Sequence, residues 1–322
     1  MIKYFIYLIV AYQALLFLYY IFRFIYRHFL IKKLNLIERY GKNSYVIITG
    51  ASSGQGYHFA KEFAKEGFNL FLIGSIRTKK VINEIKTKHP NINIIFIEKD
   101  FRKAHHPNFF YNIKESINNI NGNISILVNN VAYRTAWKPY HKMPEQLIND
   151  SITVGTIVQS QLTRIVLPYF IKRKQKSAIL NITAQCIIPT YLFGEILGNE
   201  ISVPYLSVYE ASNAFGYFQA NSLLNEYKKY NYKIDILNVT PGAVLTKNTK
   251  YLKNIIFNVD VDKFVNNIMK QIGHYSGTCY GYWGHEFSIF LMNIFPFMKQ
   301  YFLDKTGETI ANDFMIKPFK KY

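Results

Sequence analysis

The hydrophobic pattern opens with an uninterrupted run. Residues 4 to 22 (YFIYLIVAYQALLFLYYIF) carry no formal charge, and at about 1.5 Å of rise per residue a helix of that length crosses a hydrocarbon core of about 30 Å. Lys3 alone precedes the run, while Arg23, Arg27, Lys32 and Lys33 follow it, a bias that places the main body on the cytosol-like side. No small-x-small site follows before the arginines, so the run reads as a retained anchor rather than a cleaved signal. Near the other end, residues 287 to 302 (FSIFLMNIFPFMKQYF) are apolar but fewer, and Pro296 and Lys299 interrupt them. An interfacial or membrane-dipping helix fits this stretch, and a buried core helix is the competing reading.

Between these ends, apolar runs of strand length alternate with runs of helical pattern, predicting an α/β fold with a doubly wound parallel sheet covered on both faces. The first unit is the sharpest: YVII at 45 to 48, then Thr49-Gly50-Ala51-Ser52-Ser53-Gly54-Gln55-Gly56, then YHFAKEFAKEG ending at Gly67. Glycines at this spacing make a tight turn and let backbone N–H groups approach a pyrophosphate at a helix N-terminus, as in Rossmann folds. A second strand, NLFLIG at 69 to 74, has no acidic residue at its end to hold a ribose 2′-hydroxyl. Arg77, Lys79 and Lys80 follow instead, which suits a 2′-phosphate and hence NADP(H); ordinary surface cations are the bland alternative. Three segments result: residues 1 to 40 as transmembrane anchor and basic flank, 41 to 280 as the Rossmann-type domain, and 281 to 322 as an apolar C-terminal extension that is membrane-associated.

Composition narrows the partners. With 49% apolar residues in 322 the chain buries one substantial core. The formal charge of +19 is spread along the chain, mostly as Lys, without a basic stripe or nucleic-acid module, so nucleic-acid binding is not expected while attraction to anionic lipid survives. Cys186 and Cys279 are the two cysteines, too few for a disulfide framework and without metal-ligand spacing. The neighbouring His105 and His106 lack a third ligand in the sequence nearby, so no metal site is expected.

The combination of Thr49 to Gly56, a strand ending at Asp100, and ILVNNVA at 126 to 132 resembles the short-chain dehydrogenase/reductase family, over about residues 40 to 250. The resemblance implies that Ser52, Ser53 and Gln55 line the phosphate turn, that Asp100 contacts adenine, and that Asn129 and Asn130 stabilise the sheet beside the cofactor. Ala132 replaces the family's usual glycine. Thr240-Pro241-Gly242-Ala243-Val244-Leu245-Thr246 looks like the family's Pro-Gly loop, implying that the Pro241, Gly242 and Val244 backbone meets the nicotinamide amide and that Thr246 reaches a phosphate. Within the family the likeness is to membrane-anchored 17β-hydroxysteroid dehydrogenases and very-long-chain 3-ketoacyl-CoA reductases, which also have an anchor, an NNV strand end and a C-terminal apolar segment.

Ketone reduction needs a proton donor and hydrogen bonds to the developing alkoxide. The family uses a Tyr, a Lys, a Ser and an Asn. Tyr209 is present, though in a chain of 26 tyrosines it could equally be a packed aromatic. The helical AFGYFQANSLLNEYKK at 214 to 229 sets the register, so the Lys position is Asn213. The Ser position, after the strand AILNI at 178 to 182, is Ala184; Thr183 should point to the opposite face. The Asn position, counted back from QLTRIVLP at 161 to 168, is Gly155. The interval from Ala184 to Tyr209 is about twice the family's, implying an insertion near 194 to 205 where Ser202 or Ser207 would be the replacement hydroxyl. Cofactor-cradling residues persist while reacting groups do not. The expectation is therefore an NADP(H)-binding, catalytically impaired accessory or structural subunit of a membrane complex, in contact with lipid. The alternative is an active NADPH-dependent reductase of 3-ketoacyl-CoA or steroid ketones; a lipid- or sterol-binding sensor that uses bound NADPH as its signal is a third reading, with an acyl-CoA or sterol as the candidate ligand. The family resemblance implies the endoplasmic reticulum, and a complex subunit would suit the mitochondrial inner membrane.

Overall fold

A computed structural model describes residues 1–120, 123–133, 138–184, 203–247, 249–295, 301 and 304–305. Helix α1 (Ile2–Ile25) continues through a π-helical turn at Tyr26–Leu30. This segment is long and apolar enough to cross a membrane, and none of its most apolar stretch is buried against the domain. After α2 (Leu36–Tyr40) come β1 (Tyr45–Thr49), α3 (Gly54–Lys65), β2 (Asn69–Gly74), α4 (Thr78–Lys88), β3 (Ile94–Glu98), α5 (Tyr111–Asn119) and β4 (Ile124–Asn129). The second half runs α6 (Glu145–Ile152), α7 (Val158–Lys172), β5 (Ser177–Ile182), α8 (Ser207–Lys229), β6 (Ile234–Val239), the short pair β7 (Val244–Leu245) and β8 (Val259–Asp260), α9 (Val261–Gln271), β9 (Gly277–Cys279) and α10 (Trp283–Ile294).

Seven strands form one sheet in the order β3-β2-β1-β4-β5-β6-β9, and every pairing is parallel. The doubly wound expectation is met for the reason the sequence implied. Strands covered by helices on both faces read as continuous apolar runs, and β2, β4 and β5 are buried throughout. Alternation then divides them between two cores. Val46, Ile48, Leu70 and Leu72 face α3 and α9, whereas Ile47, Phe71 and Ile73 face the layer containing α5 and α7. Because β1 is flanked by β2 on one side and β4 on the other, the chain changes winding direction at β1. A crevice opens beyond the C-terminal ends of β1 and β4, the place where open α/β sheets bind ligands.

The N-terminal segment is joined to the domain by polar contacts. Tyr40 of α2 is fully buried, and its hydroxyl donates to Asp235 at 2.8 Å, beside Arg39 at 2.9 Å. Arg27, at the end of the apolar helix, sends Nη1 to both oxygens of Glu286 in α10 at 3.0 and 3.2 Å, and His28 Nε2 lies 2.7 Å from the same carboxylate. One turn further along α10, the Phe290 ring meets Phe17 of α1 at 6.3 Å between centroids. The C-terminal apolar helix therefore starts packed on the domain and lays a later turn on α1. Residues 296–300, with Pro296 and Lys299, fall outside the described residues, as do most of the expected insertion, Ser202 and Cys186.

Candidate functional site

The glycine turn sits between β1 and α3. Gly50 (φ +71°) and Gly54 (φ +56°) occupy left-handed backbone that disfavours side chains, and Gly56 is where the turn closes on itself: a Cβ there would lie 2.4 Å from the Gly50 carbonyl and 2.6 Å from the Asn130 amide. Gly54 faces Thr246, whose Cγ2 a Cβ would meet at 3.6 Å. The Pro-Gly segment and the glycine turn thus form opposite sides of one crevice. Thr246 is fixed through Thr249, whose hydroxyl receives the Thr246 N–H at 2.6 Å.

Asn130 Nδ2 donates to the Thr49 carbonyl at 2.9 Å, and the Asn130 and Val131 amides donate to Thr49 Oγ1, each at 3.0 Å. Thr49 is fully buried, and its side chain braces the turn from behind. Asn129 spans the sheet, donating to Asn181 Oδ1 at 2.8 Å and to Thr163 at 3.1 Å. Asp100 caps the following turn through Arg102 N, and its carboxylate is paired with the Arg102 guanidinium at 2.6 Å. The hydrogen bonds from Arg102 hold that carboxyl below its ordinary range despite partial burial. Any adenine contact by Asp100 would share it with Arg102, a partner two residues on that the sequence reading missed.

At the end of β2 the Ser75 and Thr78 hydroxyls are buried without hydrogen-bond partners, as is the side-chain amide oxygen of Gln55 in the first turn of α3. Arg77 stands exposed between the two hydroxyls in sequence. Buried hydroxyls are normally satisfied. A phosphorylated ribose beside Ser75, with the exposed Arg77 two residues on, would satisfy the Ser75 hydroxyl, so these residues fit a dinucleotide bearing a 2′-phosphate.

The crevice continues past Val131, whose Cα lies 3.3 Å from where a Gly50 Cβ would be, into a pocket lined by Tyr133, Ser151, Gly155, Gln159, Thr183, Tyr209, Ser212 and Asn213, among others. The chain thus gathers Tyr209 and the three substituted positions' neighbourhood in one place, with Ala184 just outside it. Tyr209 lies in the first turn of α8, which starts earlier than the pattern from 214 implied. Asn213 is turned along its own helix, donating to the Tyr209 carbonyl at 2.8 Å. Thr183 gives its hydroxyl to the Val239 carbonyl at 3.1 Å, so it offers the pocket no donor. Gly155 lies in a π-helical turn, Thr153–Ile157, pressed on α8: a Cβ would come within 2.6 Å of Ser212 Cβ. Ser207 is exposed on α8 and does not line the pocket.

Tyr133, Ser151, Gln159 and Ser212 were not singled out from sequence. Spacing carried the only signal: Ser212 and Gly216 on α8 oppose Gly155 and Gln159 at the same interval of four, the mark of two helices in close contact. Tyr133 interacts with the buried Asp150; desolvation, with that carboxylate, pushes its phenol up. His105 and His106 are exposed with their rings tilted 39° at 4.2 Å, and no metal-type cluster exists among the described residues.

Residues 44–255 match the family described as short chain dehydrogenase. A very-long-chain 3-oxoacyl-CoA reductase of Caenorhabditis briggsae is 28% identical over 83% of this chain and 80% of its own length. A hydroxysteroid dehydrogenase-like protein 1 of Gallus gallus is 27% identical over 83% of this chain and 76% of its own. Among solved structures, a short-chain dehydrogenase from Sphingobium yanoikuyae in complex with NADPH shares the fold, with a TM-score of 0.60 and 22% identity over 74% of this chain and 87% of its own.

Proposed function

Since the chain belongs to the short-chain dehydrogenase family, we propose that it is a membrane-anchored NADP(H)-dependent reductase of a long-chain lipid ketone, a 3-oxoacyl-CoA being the preferred substrate class. It works slowly because the usual proton relay is missing. The observation that carries this reading is that Val131, just after β4, packs against Gly50 of the glycine turn and also lines the pocket that holds Tyr209. The relatives support the substrate class, since several are named very-long-chain 3-oxoacyl-CoA reductases.

In this reading the glycine turn and the α3 N-terminus receive the pyrophosphate, while Arg77 and Ser75 hold the 2′-phosphate. The reduced nicotinamide, when bound, supplies the hydride. Tyr209 donates its phenolic proton to the alkoxide that develops on the substrate carbon. No ammonium stands at Asn213 to stabilise the resulting phenolate and no hydroxyl at Ala184 steadies the oxygen. Each such group is worth about 10² to 10³ in rate, so turnover is slow. The helix at residues 2–30 anchors the protein in the endoplasmic reticulum membrane, where the lipid substrate is presented.

A second reading, a cofactor-binding subunit without turnover, is favoured by the Asn213 amide being engaged with its own helix and by the bare Gly155. It yields to the first because the relatives are named as reductases. The test is full-length protein in lipid nanodiscs, given NADPH and a long-chain 3-oxoacyl-CoA. Slow NADPH consumption that disappears in Tyr209→Phe is expected. Tight NADPH binding with no product at any chain length would overturn the reductase reading in favour of the silent subunit.

A further inference from the structure

His285 is almost fully buried on α10, between the rings of Tyr282 at 5.3 Å and Phe264 at 6.1 Å. Its Nδ1 lies 3.3 Å from the Tyr280 carbonyl and its ring lies beside the Ala243 backbone, while on the same helix Gly284 packs so closely on Phe257, just before β8, that a Cβ would come within 2.9 Å, and the Phe257 ring meets Trp283 at 5.7 Å and Phe287 at 5.8 Å. Ala243 directly follows Pro241-Gly242, and its carbonyl takes the Val259 N–H at 3.1 Å, tying β8 to the start of β7. α10 therefore grips the loop that faces the glycine turn.

The neighbouring residue grips the membrane helix. Glu286 takes both Arg27 bonds and the His28 contact, with the Arg27 and His28 side chains only 4% and 2% exposed, and Arg27 also lies 4.7 Å over the Tyr275 ring. Successive residues on a helix point about 100° apart, so residues 285 and 286 hold different surroundings on two sides of one rigid turn. A buried ion cluster contributes little net stability compared with apolar packing, and its best-attested use is to specify an arrangement.

We infer that the Arg27–His28–Glu286 cluster positions α10, and through His285 the Pro-Gly loop, so that the end of the membrane helix helps set the nicotinamide side of the dinucleotide site. The inference rests on the NADP(H) reading above. These four residues are positioning residues; none of them touches the ligand. It follows that protein released from its anchor, or with α10 loosened, keeps the phosphate-binding side of the crevice and loses affinity on the loop side.

Two ligands separate these sides: NADPH, which spans the crevice, and 2′,5′-ADP, which occupies only the Arg77 side. Affinities would be measured on full-length protein in nanodiscs for wild type, Glu286→Gln, His285→Phe, and the exchange Arg27→Glu with Glu286→Arg. The expected result is a rise of about tenfold in the NADPH Kd for Glu286→Gln and His285→Phe, the worth of one lost hydrogen bond, with 2′,5′-ADP affinity unchanged and the exchange variant largely restored. Unchanged NADPH affinity in either folded single variant overturns the inference, as does a parallel loss of both ligands, which marks general destabilisation. His285→Phe keeps the ion cluster intact and serves if Glu286→Gln fails to fold. Wild type that binds neither ligand refutes the cofactor reading itself and the inference with it.

Discussion

The sharpest test of the catalytic argument is to put an ammonium back. In Asn213→Lys the new side chain starts from a 7% exposed position one turn along α8 from Tyr209, at the wall of the pocket. The amide it replaces donates only to the Tyr209 carbonyl, an oxygen inside an intact helix, so little is lost. A lysine ammonium about 5 Å from the phenolic oxygen favours the phenolate by about 3 kcal/mol at an effective dielectric of about 20. If about half of that charge has developed in the transition state, the barrier falls by about 1.5 kcal/mol, a rate increase of about tenfold. The assay is NADPH consumption with a long-chain 3-oxoacyl-CoA, in Asn213→Lys and in Asn213→Lys combined with Tyr209→Phe. An increase in kcat that the added Tyr209→Phe removes bears the argument out. A folded Asn213→Lys protein that binds NADPH normally yet turns over no faster would refute it, as would a gain that survives loss of the phenol.

Gly56→Ala should raise the NADPH Kd at least about a hundredfold, because the new methyl meets a backbone carbonyl and the tethered Asn130 amide below 3 Å; fluorescence titration reads it. Arg77→Glu should cut the preference for NADPH over NADH by about tenfold or more, with little change in NADH affinity, when both are titrated at low salt. Burial pushes the His285 imidazole down from 6.5 to about 4. The unfolded chain therefore takes up this proton first, and the stabilisation present above about pH 6.5 is lost as pH falls toward 4, amounting to about 2 kcal/mol by pH 5. Denaturation midpoints between pH 7.5 and 5 should show that slope, and His285→Phe should flatten it. Glu286, held below its ordinary value by His28 and Arg27 against the effect of burial, loses its contribution only at lower pH still.

Much of this molecule is legible in its sequence because the relevant signals are local. The apolar run before Thr49 and the glycines after it determine a strand, a turn and a helix within a few residues of one another. Thr183 lines the pocket, where a strict two-residue period would turn it away, and its hydroxyl is spent on the Val239 carbonyl of β6. The absent lysine is a matter of counting along α8. What eluded the sequence are contacts between distant segments. Arg27 and Glu286 are 259 positions apart, and each alone looks like a solvated charge. Gly155 was located as a missing side chain, but its π-helical turn looks helical in any hydrophobic pattern, and nothing local announces that Ser212 fills the space. The Tyr133–Asp150 interaction likewise joins a loop to a helix, and no periodicity records it.

The contact between Gly155 and Ser212 also makes the two positions one unit for anyone redesigning the pocket. An asparagine at 155 would collide with the Ser212 side chain, whereas residue 212 shortened to glycine would leave Cα as its nearest atom, 3.7 Å from the new Cβ. A side chain at 155 is therefore admissible only in company with a smaller residue at 212, so the two substitutions are strongly non-additive and each single variant understates what the pair can do.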